Sequence, residues 1–166
     1  HGDIKPSNIM VKRTGNAKII DIGTAIDLNN MPDRITCTPT YDAPETNDRD
    51  ELTPRSDLAS LGYVLIEILA GRPLFSGIRK YGEQLEAKRT LSKRLPSILP
   101  KEVANSDLLM TICRRLTAAD PARRYATAEE ADTDGEGLVE FQRTLVKGDL
   151  AIEAEHDIRV WLEELD

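Results

Sequence analysis

The segment at residues 56–71 constrains the fold most strongly, because a helix built from it is apolar in almost every direction. One side carries leucines at helical spacing and other sides carry further aliphatic residues, namely Leu58, Leu61, Leu65, Leu69, Val64, Ile66 and Ile68. Ser56 or Asp57 is a suitable N-cap, and Gly71 stands where a glycine commonly ends a helix. A helix that is apolar almost all round lies inside a domain. The sequence therefore predicts a buried central helix with other elements packed around it.

Composition narrows the class of protein. Of the 166 residues, 40% are hydrophobic and 31% are charged, which is typical of one compact globular domain. No apolar run approaches the roughly 18 residues of a membrane span, and the first residues lack the apolar stretch of a signal peptide. Two cysteines cannot form a disulfide framework, and a net charge of −7 with 4% aromatic residues argues against nucleic-acid binding. We therefore expect a cytoplasmic segment with no membrane contact and no nucleic-acid partner.

Charge is distributed unevenly along the chain. Residues 127–166 contain 13 acidic and 3 basic side chains, and residues 150–165 place one apolar stripe on an acidic helix. The acidic tail at residues 148–166 is expected to pack on its own domain or to contact a partner helix. A basic cluster consists of Arg79, Lys80, Lys88, Arg89, Lys93 and Arg94. We interpret this cluster as a solvated helix face, with binding of an acidic partner as the alternative.

Residues 8–21 read as a β hairpin. The run Ile-Met-Val at 9–11 precedes a turn at 13–16, and Ala-Lys-Ile-Ile follows at 17–20. Because the second strand returns over the same distance as the first, Asn8 and Asp21 are expected to lie side by side. Residues 22–56 lack periodicity and contain four prolines, which is typical of a functional loop. Helices are also predicted at 79–92, 106–117, 127–132 and 136–147.

The first eight residues read His-Gly-Asp-Ile-Lys-Pro-Ser-Asn, and Asp-Ile-Gly follows at 21–23. This pattern resembles the catalytic loop and the metal-binding turn of eukaryotic-type protein kinases. The resemblance implies that Asp3 orients or accepts the proton of the substrate hydroxyl and that Lys5 faces the transferred phosphate of ATP. It also implies that Asn8 and Asp21 hold Mg²⁺ through oxygen atoms, which are the ligands this ion prefers.

The first motif alone also resembles small-molecule kinases of the aminoglycoside phosphotransferase type. Residues 38–45, Thr-Pro-Thr-Tyr-Asp-Ala-Pro-Glu, are similar to the end of a protein-kinase activation segment, in which Thr38 contacts the catalytic loop. Residues 56–62 resemble the start of the central helix, where Asp57 tethers the catalytic-loop backbone. Residues 120–124, Asp-Pro-Ala-Arg-Arg, match a motif whose arginine, Arg124, pairs with Glu45. Together these motifs favour a protein substrate.

The sequence departs from the family pattern at three positions. Gly2 stands where many regulated members have arginine, so control by phosphorylation of the activation loop is not expected. Ile22 replaces a phenylalanine and remains apolar, and Cys37 replaces a common glycine. The nucleotide-clamping lobe of the family, with its glycine-rich loop and strand lysine, has no counterpart in this sequence. We therefore expect this chain by itself to bind ATP poorly and to have negligible activity.

The resemblance implies a mainly α fold, a protein-kinase-like C-terminal lobe with a small β hairpin. Residues 1–147 are assigned to this partial kinase domain and residues 148–166 to an acidic helical tail. Lys5 favours serine or threonine over tyrosine as the acceptor, so the expected parent is a serine/threonine protein kinase. The alternatives are a small-molecule kinase of the aminoglycoside or choline type, and a non-catalytic pseudokinase scaffold.

Overall fold

The computed structural model describes residues 1–13, 17–32, 35, 37–46 and 52–133. Its strands are β1 (Ile9–Val11) and β2 (Ala17–Ile19), and its helices are α1 (Pro54–Ala70), α2 (Tyr81–Arg89), α3 (Leu91–Ile98), α4 (Lys101–Ala104), α5 (Asp107–Leu116) and α6 (Ala128–Thr133). Short 3-10 turns occupy Pro6–Asn8, Ile22–Thr24 and Pro121–Arg123. The predicted mainly α fold with a small hairpin is confirmed. The helix expected at 136–147 and the tail at 148–166, with its stripe at 150–165, lie outside the described residues.

The hairpin is antiparallel and pairs Ile9 with Ile19. This register places Asn8 opposite Ile20, whose backbone N–H donates to the Asn8 carbonyl over 2.9 Å. Asp21 therefore lies one residue beyond the position directly opposite Asn8. The prediction that Asn8 and Asp21 lie side by side holds for the backbone to within one residue.

Helix α1 begins earlier than the apolar pattern indicated. Its first residue is Pro54, which needs no hydrogen-bond acceptor for its nitrogen, and its N-cap is Thr53 rather than Ser56 or Asp57. The Thr53 hydroxyl accepts from a backbone N–H in the first turn. The helix ends as predicted at Gly71, which adopts a left-handed conformation with φ of 65°.

Helix α1 also forms the centre of the core. Eight of its 17 residues are buried, and Ile68 is 72% exposed, so the burial of α1 is less complete than the apolar pattern predicted. One cluster joins α1 to α2, α3 and α5 through buried side chains that include Ala59, Tyr63, Ile66, Phe75, Leu91, Leu95 and Cys113. A second cluster contains Leu58, Ile112, Leu116, Tyr125 and Ala131. None of the described helices is both long and apolar enough to cross a membrane.

The single helix predicted at 79–92 is instead the pair α2 and α3, with Thr90 between them. Thr90 has a φ of −95° and a ψ of −2°, and Leu91 and Leu95 of α3 are completely buried in the core. Lys88, expected on a solvated basic face, is only 2% exposed, whereas Arg89 beside it is exposed. Lys88 is therefore a buried residue and not part of a solvated basic face.

Helices α1 and α5 pack closely at Gly62. A methyl group added there would lie 2.6 Å from the Cγ2 atom of Thr117 and 2.8 Å from the Cβ atom of Leu116. Both neighbours are buried, so neither side chain can swing away into solvent. The absence of a side chain at Gly62 therefore sets the distance between the two helices.

We expect Gly62→Ala to destabilise the protein by about 1–3 kcal/mol, because the added methyl group overpacks the α1–α5 contact. Gly82→Ala is the matched control: Gly82 also lies in a helix, α2, and its added methyl group would meet open space. The control should be neutral or stabilising by up to about 1 kcal/mol, because alanine favours helices more than glycine does. Urea unfolding of both variants measures the difference, and equal stabilities would contradict the close packing.

Candidate active site

The carboxylate of Asp3 is the centre of a cluster of hydrogen bonds. The ammonium group of Lys5 lies 2.6 Å from Asp3 Oδ2. On the other oxygen, Oδ1, Thr38 donates from its hydroxyl over 2.6 Å and from its backbone N–H over 3.1 Å. Lys5 also donates to the Thr38 hydroxyl over 3.0 Å, which closes the cluster. Residues 35 positions apart in the chain thus share one carboxylate.

This arrangement keeps Asp3 ionised. Partial burial alone raises the pKa of Asp3, but hydrogen bonds from Lys5 and Thr38 and the positive charge of Lys5 outweigh burial. The net pKa of Asp3 is lowered below its ordinary value. At neutral pH the group is therefore an ionised carboxylate.

Asn8 is held against Asp3 by the 3-10 turn Pro6–Asn8. Its amide nitrogen donates to the Asp3 carbonyl over 2.9 Å and to Asp3 Oδ2 over 3.4 Å. The turn is closed by the Asn8 backbone N–H, which donates to the Lys5 carbonyl over 2.9 Å. Asn8 is 5% exposed, so its amide has a defined direction. The structure thus brings Asp3, Lys5, Asn8 and Thr38 into direct contact.

Asp21 lies next to this cluster but makes no hydrogen bond or ion pair with it in the described residues. Its side chain is exposed, and its backbone has a left-handed conformation with φ of 62°. The neighbouring Ile20 is fixed on two sides, because its N–H donates to Asn8 and its carbonyl lies 3.1 Å from the Nε2 atom of His1. Within the described residues, no three His, Cys, Asp or Glu side chains converge on a metal position. A metal ion here would depend on Asn8 and Asp21 together with oxygens from its ligand.

Asp57, in the first turn of α1, holds the start of the loop. Its two carboxylate oxygens accept from the backbone nitrogens of His1, over 2.6 Å, and of Gly2, over 2.9 Å. Gly2 has a φ of 81°, and a side chain there would meet the carbonyl of Thr24 at 2.8 Å. Gly2 therefore allows the loop to lie close to the turn at Ile22–Thr24, because a residue with a side chain would be strained and crowded there.

Glu45 and Arg124 anchor the other end of the segment at 37–46. They form a two-pronged ion pair, with distances of 2.6 Å and 2.8 Å, and their side chains are 3% and 0% exposed. Ser56 at the start of α1 donates to the same glutamate over 2.9 Å. Arg124 also donates to the Ala118 carbonyl over 2.8 Å, so the buried charges are well supplied with partners.

The contact from Ser56 to Glu45 was not predicted, and two further contacts of this segment with helices also escaped prediction. The Tyr41 hydroxyl donates to Glu67 of α1 over 2.9 Å, and Lys88 of α2 forms a buried ion pair with Asp42. A signal for Lys88 exists in its spacing, because Gln84, Ala87 and Lys88 share the buried face of α2. The strongly charged composition of that helix outweighed this signal and favoured a fully solvated face.

Cys37 is not a reactive thiol. Its sulfur donates to Asp42 Oδ2 over 3.6 Å. Burial, followed by the negative charge of Asp42, raises the pKa of Cys37 to about 11. The thiol is therefore protonated at neutral pH and donates a hydrogen bond to Asp42 within the same segment.

Comparison with known proteins matches residues 1–134 to the protein kinase domain family. The chain is 36% identical over 143 residues to the serine/threonine-protein kinase PrkC of Bacillus subtilis (strain 168), a match covering 81% of this chain and 21% of PrkC. It is 37% identical over 144 residues to the probable serine/threonine-protein kinase PknB of Bifidobacterium longum (strain NCC 2705), covering 81% of this chain and 20% of that protein. It is 33% identical over 140 residues to the serine/threonine-protein kinase PknB of Mycobacterium tuberculosis (strain H37Rv), covering 81% and 22%.

The chain thus spans about a fifth of the length of these curated relatives. The family match nevertheless extends over most of the chain, from the Asp3 cluster through the Glu45–Arg124 pair to the end of α6. The chain belongs to the protein kinase domain family, and the relatives that it matches are serine/threonine-protein kinases.

Proposed function

We propose that the full-length protein containing this chain transfers the γ-phosphoryl group of ATP to a serine or threonine hydroxyl of a protein substrate. The observation that carries the proposal is the Asp3 carboxylate, held in one position by Lys5 and Thr38. Phosphoryl transfer depends mainly on positioning and on the neutralisation of charge, rather than on strong nucleophilic chemistry in the protein. A fixed carboxylate beside a fixed ammonium group meets both needs.

Each group of the cluster has a distinct role in this proposal. Asp3 accepts a hydrogen bond from the substrate hydroxyl and orients its oxygen toward the phosphorus atom. Lys5, 25% exposed at its side chain and 2.6 Å from Asp3, supplies positive charge near the transferred phosphate. Thr38 links the segment at 37–46 to both residues, so the position of this segment is fixed relative to Asp3 and Lys5.

The residues present fit a Mg²⁺ ion that carries ATP. Because Asn8 donates to Asp3 through its amide nitrogen, its amide oxygen remains for a metal ion. Asp21, an exposed carboxylate on the adjacent strand end, supplies a second hard oxygen. When bound, Mg·ATP supplies the phosphoryl group and neutralises charge on the phosphate oxygens. Asn8 and Asp21 would hold this ion, and Lys5 would face the phosphate.

We also propose a cytoplasmic location for this part of the protein. ATP is available in that compartment, and Cys37 and Cys113 are both free thiols. Free thiols persist where the environment is reducing.

We expect Asp3→Asn in the full-length protein to lower kcat by about 10²- to 10⁴-fold, because the amide cannot accept the hydroxyl proton. Transfer of labelled phosphate from ATP to dephosphorylated casein measures the rate. Asp107→Asn is the matched control, since Asp107 is an exposed carboxylate in the first turn of α5, and it should retain the wild-type rate.

An unchanged rate in Asp3→Asn would remove Asp3 from its proposed role. The same assay with an aminoglycoside in place of casein tests the acceptor class. Phosphorylation of the aminoglycoside but not of casein would contradict a protein substrate.

We expect Asp21→Ala to abolish turnover at every Mg²⁺ concentration, because one of the two proposed metal-binding side chains is lost. The measurement is a Mg²⁺ titration of phosphate transfer. Asp27→Ala, which removes an exposed carboxylate from the same loop, serves as the control and should preserve the Mg²⁺ dependence. A wild-type titration curve in Asp21→Ala would refute the metal assignment.

A further inference from the structure

Lys88 donates all three of its ammonium hydrogens to the segment at 37–46. Two acceptors are backbone carbonyls, that of Pro39 at 2.6 Å and that of Asp42 at 2.7 Å, and the third is the Asp42 carboxylate. The side chains of Lys88 and Asp42 are 1% and 3% exposed. One buried cation from α2 thus contacts a short stretch of backbone at two points.

The contacted stretch is a tight turn. The backbone N–H groups of Tyr41 and Asp42 both donate to the Thr38 carbonyl, over 2.9 Å and 3.1 Å. Lys88 binds the carbonyl of Pro39 near the start of this turn and that of Asp42 at its end. The ammonium group therefore fixes the shape of the turn and its distance from α2.

Thr38 transmits this position to the Asp3 cluster. It precedes Pro39 directly, and both its hydroxyl and its backbone N–H donate to Asp3 Oδ1. A shift of the turn away from α2 would move Thr38, since Pro39 allows little change in its own φ angle. Lys88 is thereby connected to Asp3, because it binds the Pro39 carbonyl and the preceding residue, Thr38, is hydrogen-bonded to Asp3.

Stability alone does not account for a charge at this position. The ammonium group lies near two aromatic rings, 5.5 Å from the centre of Tyr63 and 5.7 Å from that of Phe75. An apolar side chain of similar length would fill this space without the cost of removing a cation and a carboxylate from water. What an apolar side chain cannot do is bind the carbonyls of Pro39 and Asp42.

We propose that Lys88 is a positioning residue for phosphoryl transfer, which holds the turn at residues 38–42 so that Thr38 stays on the Asp3 carboxylate. The inference rests on the proposed kinase function for its effect on rate. The structural claim, that Lys88 fixes the turn, does not depend on whether the protein is a kinase.

The test replaces the ion pair by apolar side chains in the full-length protein, with the double variant Asp42→Leu/Lys88→Met. Removing both charges avoids a lone buried charge, so the fold should be retained. Arg89→Met is the matched control, because Arg89 is the next residue of α2 and is an exposed cation. Hydrogen exchange at the Tyr41 and Asp42 amides reports on the turn, and exchange in α1 reports on the whole domain.

In the double variant we expect exchange at these two amides to accelerate by about tenfold or more while α1 keeps its protection. With dephosphorylated casein as acceptor, kcat should fall by about 10- to 100-fold. The KM for ATP should stay within about twofold, because Lys88 contacts none of the residues assigned to the nucleotide or the metal ion. The control should match the wild type in every measurement.

Unchanged exchange at Tyr41 and Asp42, or an unchanged kcat, would overturn the proposal. A double variant that does not fold would also overturn it, because the pair would then serve the whole domain rather than the turn. If the wild-type protein transfers no phosphate, the kinase function fails, and the exchange measurement still decides whether Lys88 fixes the turn.

Discussion

Burial of α1 is the constraint on which the rest of the structure depends, because this apolar helix also carries the polar groups that fix each loop of the site. Ser56 donates to Glu45, Asp57 accepts from the first two backbone nitrogens of the chain, and Glu67 accepts from Tyr41. A side chain on a helix inside a packed core has few positions available. One helix therefore fixes the position of the loop at residues 1–8 relative to the segment at 37–46, although more than 30 residues separate Asp3 from Thr38 in the chain.

The segment at 37–46 is also held by two cations from outside α1. Arg124 binds Glu45 near its end, and Lys88 binds Asp42 in its middle, and all four side chains are almost fully buried. Buried ion pairs are poor evidence for stability, because removing the charges from water offsets much of their attraction. These ion pairs instead fix the conformation of the segment, because each cation makes all of its hydrogen bonds in only one arrangement of the backbone. A segment without helix or strand thus has a defined shape.

The sequence predicted what depends on local pattern and on the family motifs. A run of β-favouring residues and a turn cluster located the hairpin, helical spacing located α1, and Gly71 located its end. The error at the start of α1 arose because the apolar pattern begins after the helix does, whereas Pro54 and the Thr53 cap carry the signal for its first turn. The spacing of Lys88 on the buried face of α2 was only a weak signal, because its burial depends on carbonyl groups 46 and 49 residues away. A charged residue with distant partners has the same local sequence as a solvated one.

The electrostatics of Asp3 bear on how the proposed transfer would proceed. A general base is most effective when its pKa is near the working pH, yet Lys5 and Thr38 hold the pKa of Asp3 below its ordinary value. Asp3 is therefore a weak base, and early removal of the hydroxyl proton is unfavourable. A loose transition state needs little nucleophile activation, because bonding to the attacking oxygen is weak until late in the reaction. The same hydrogen bonds that weaken Asp3 as a base fix its direction, so its main contribution would be to orient the hydroxyl and to take the proton only after transfer is well advanced.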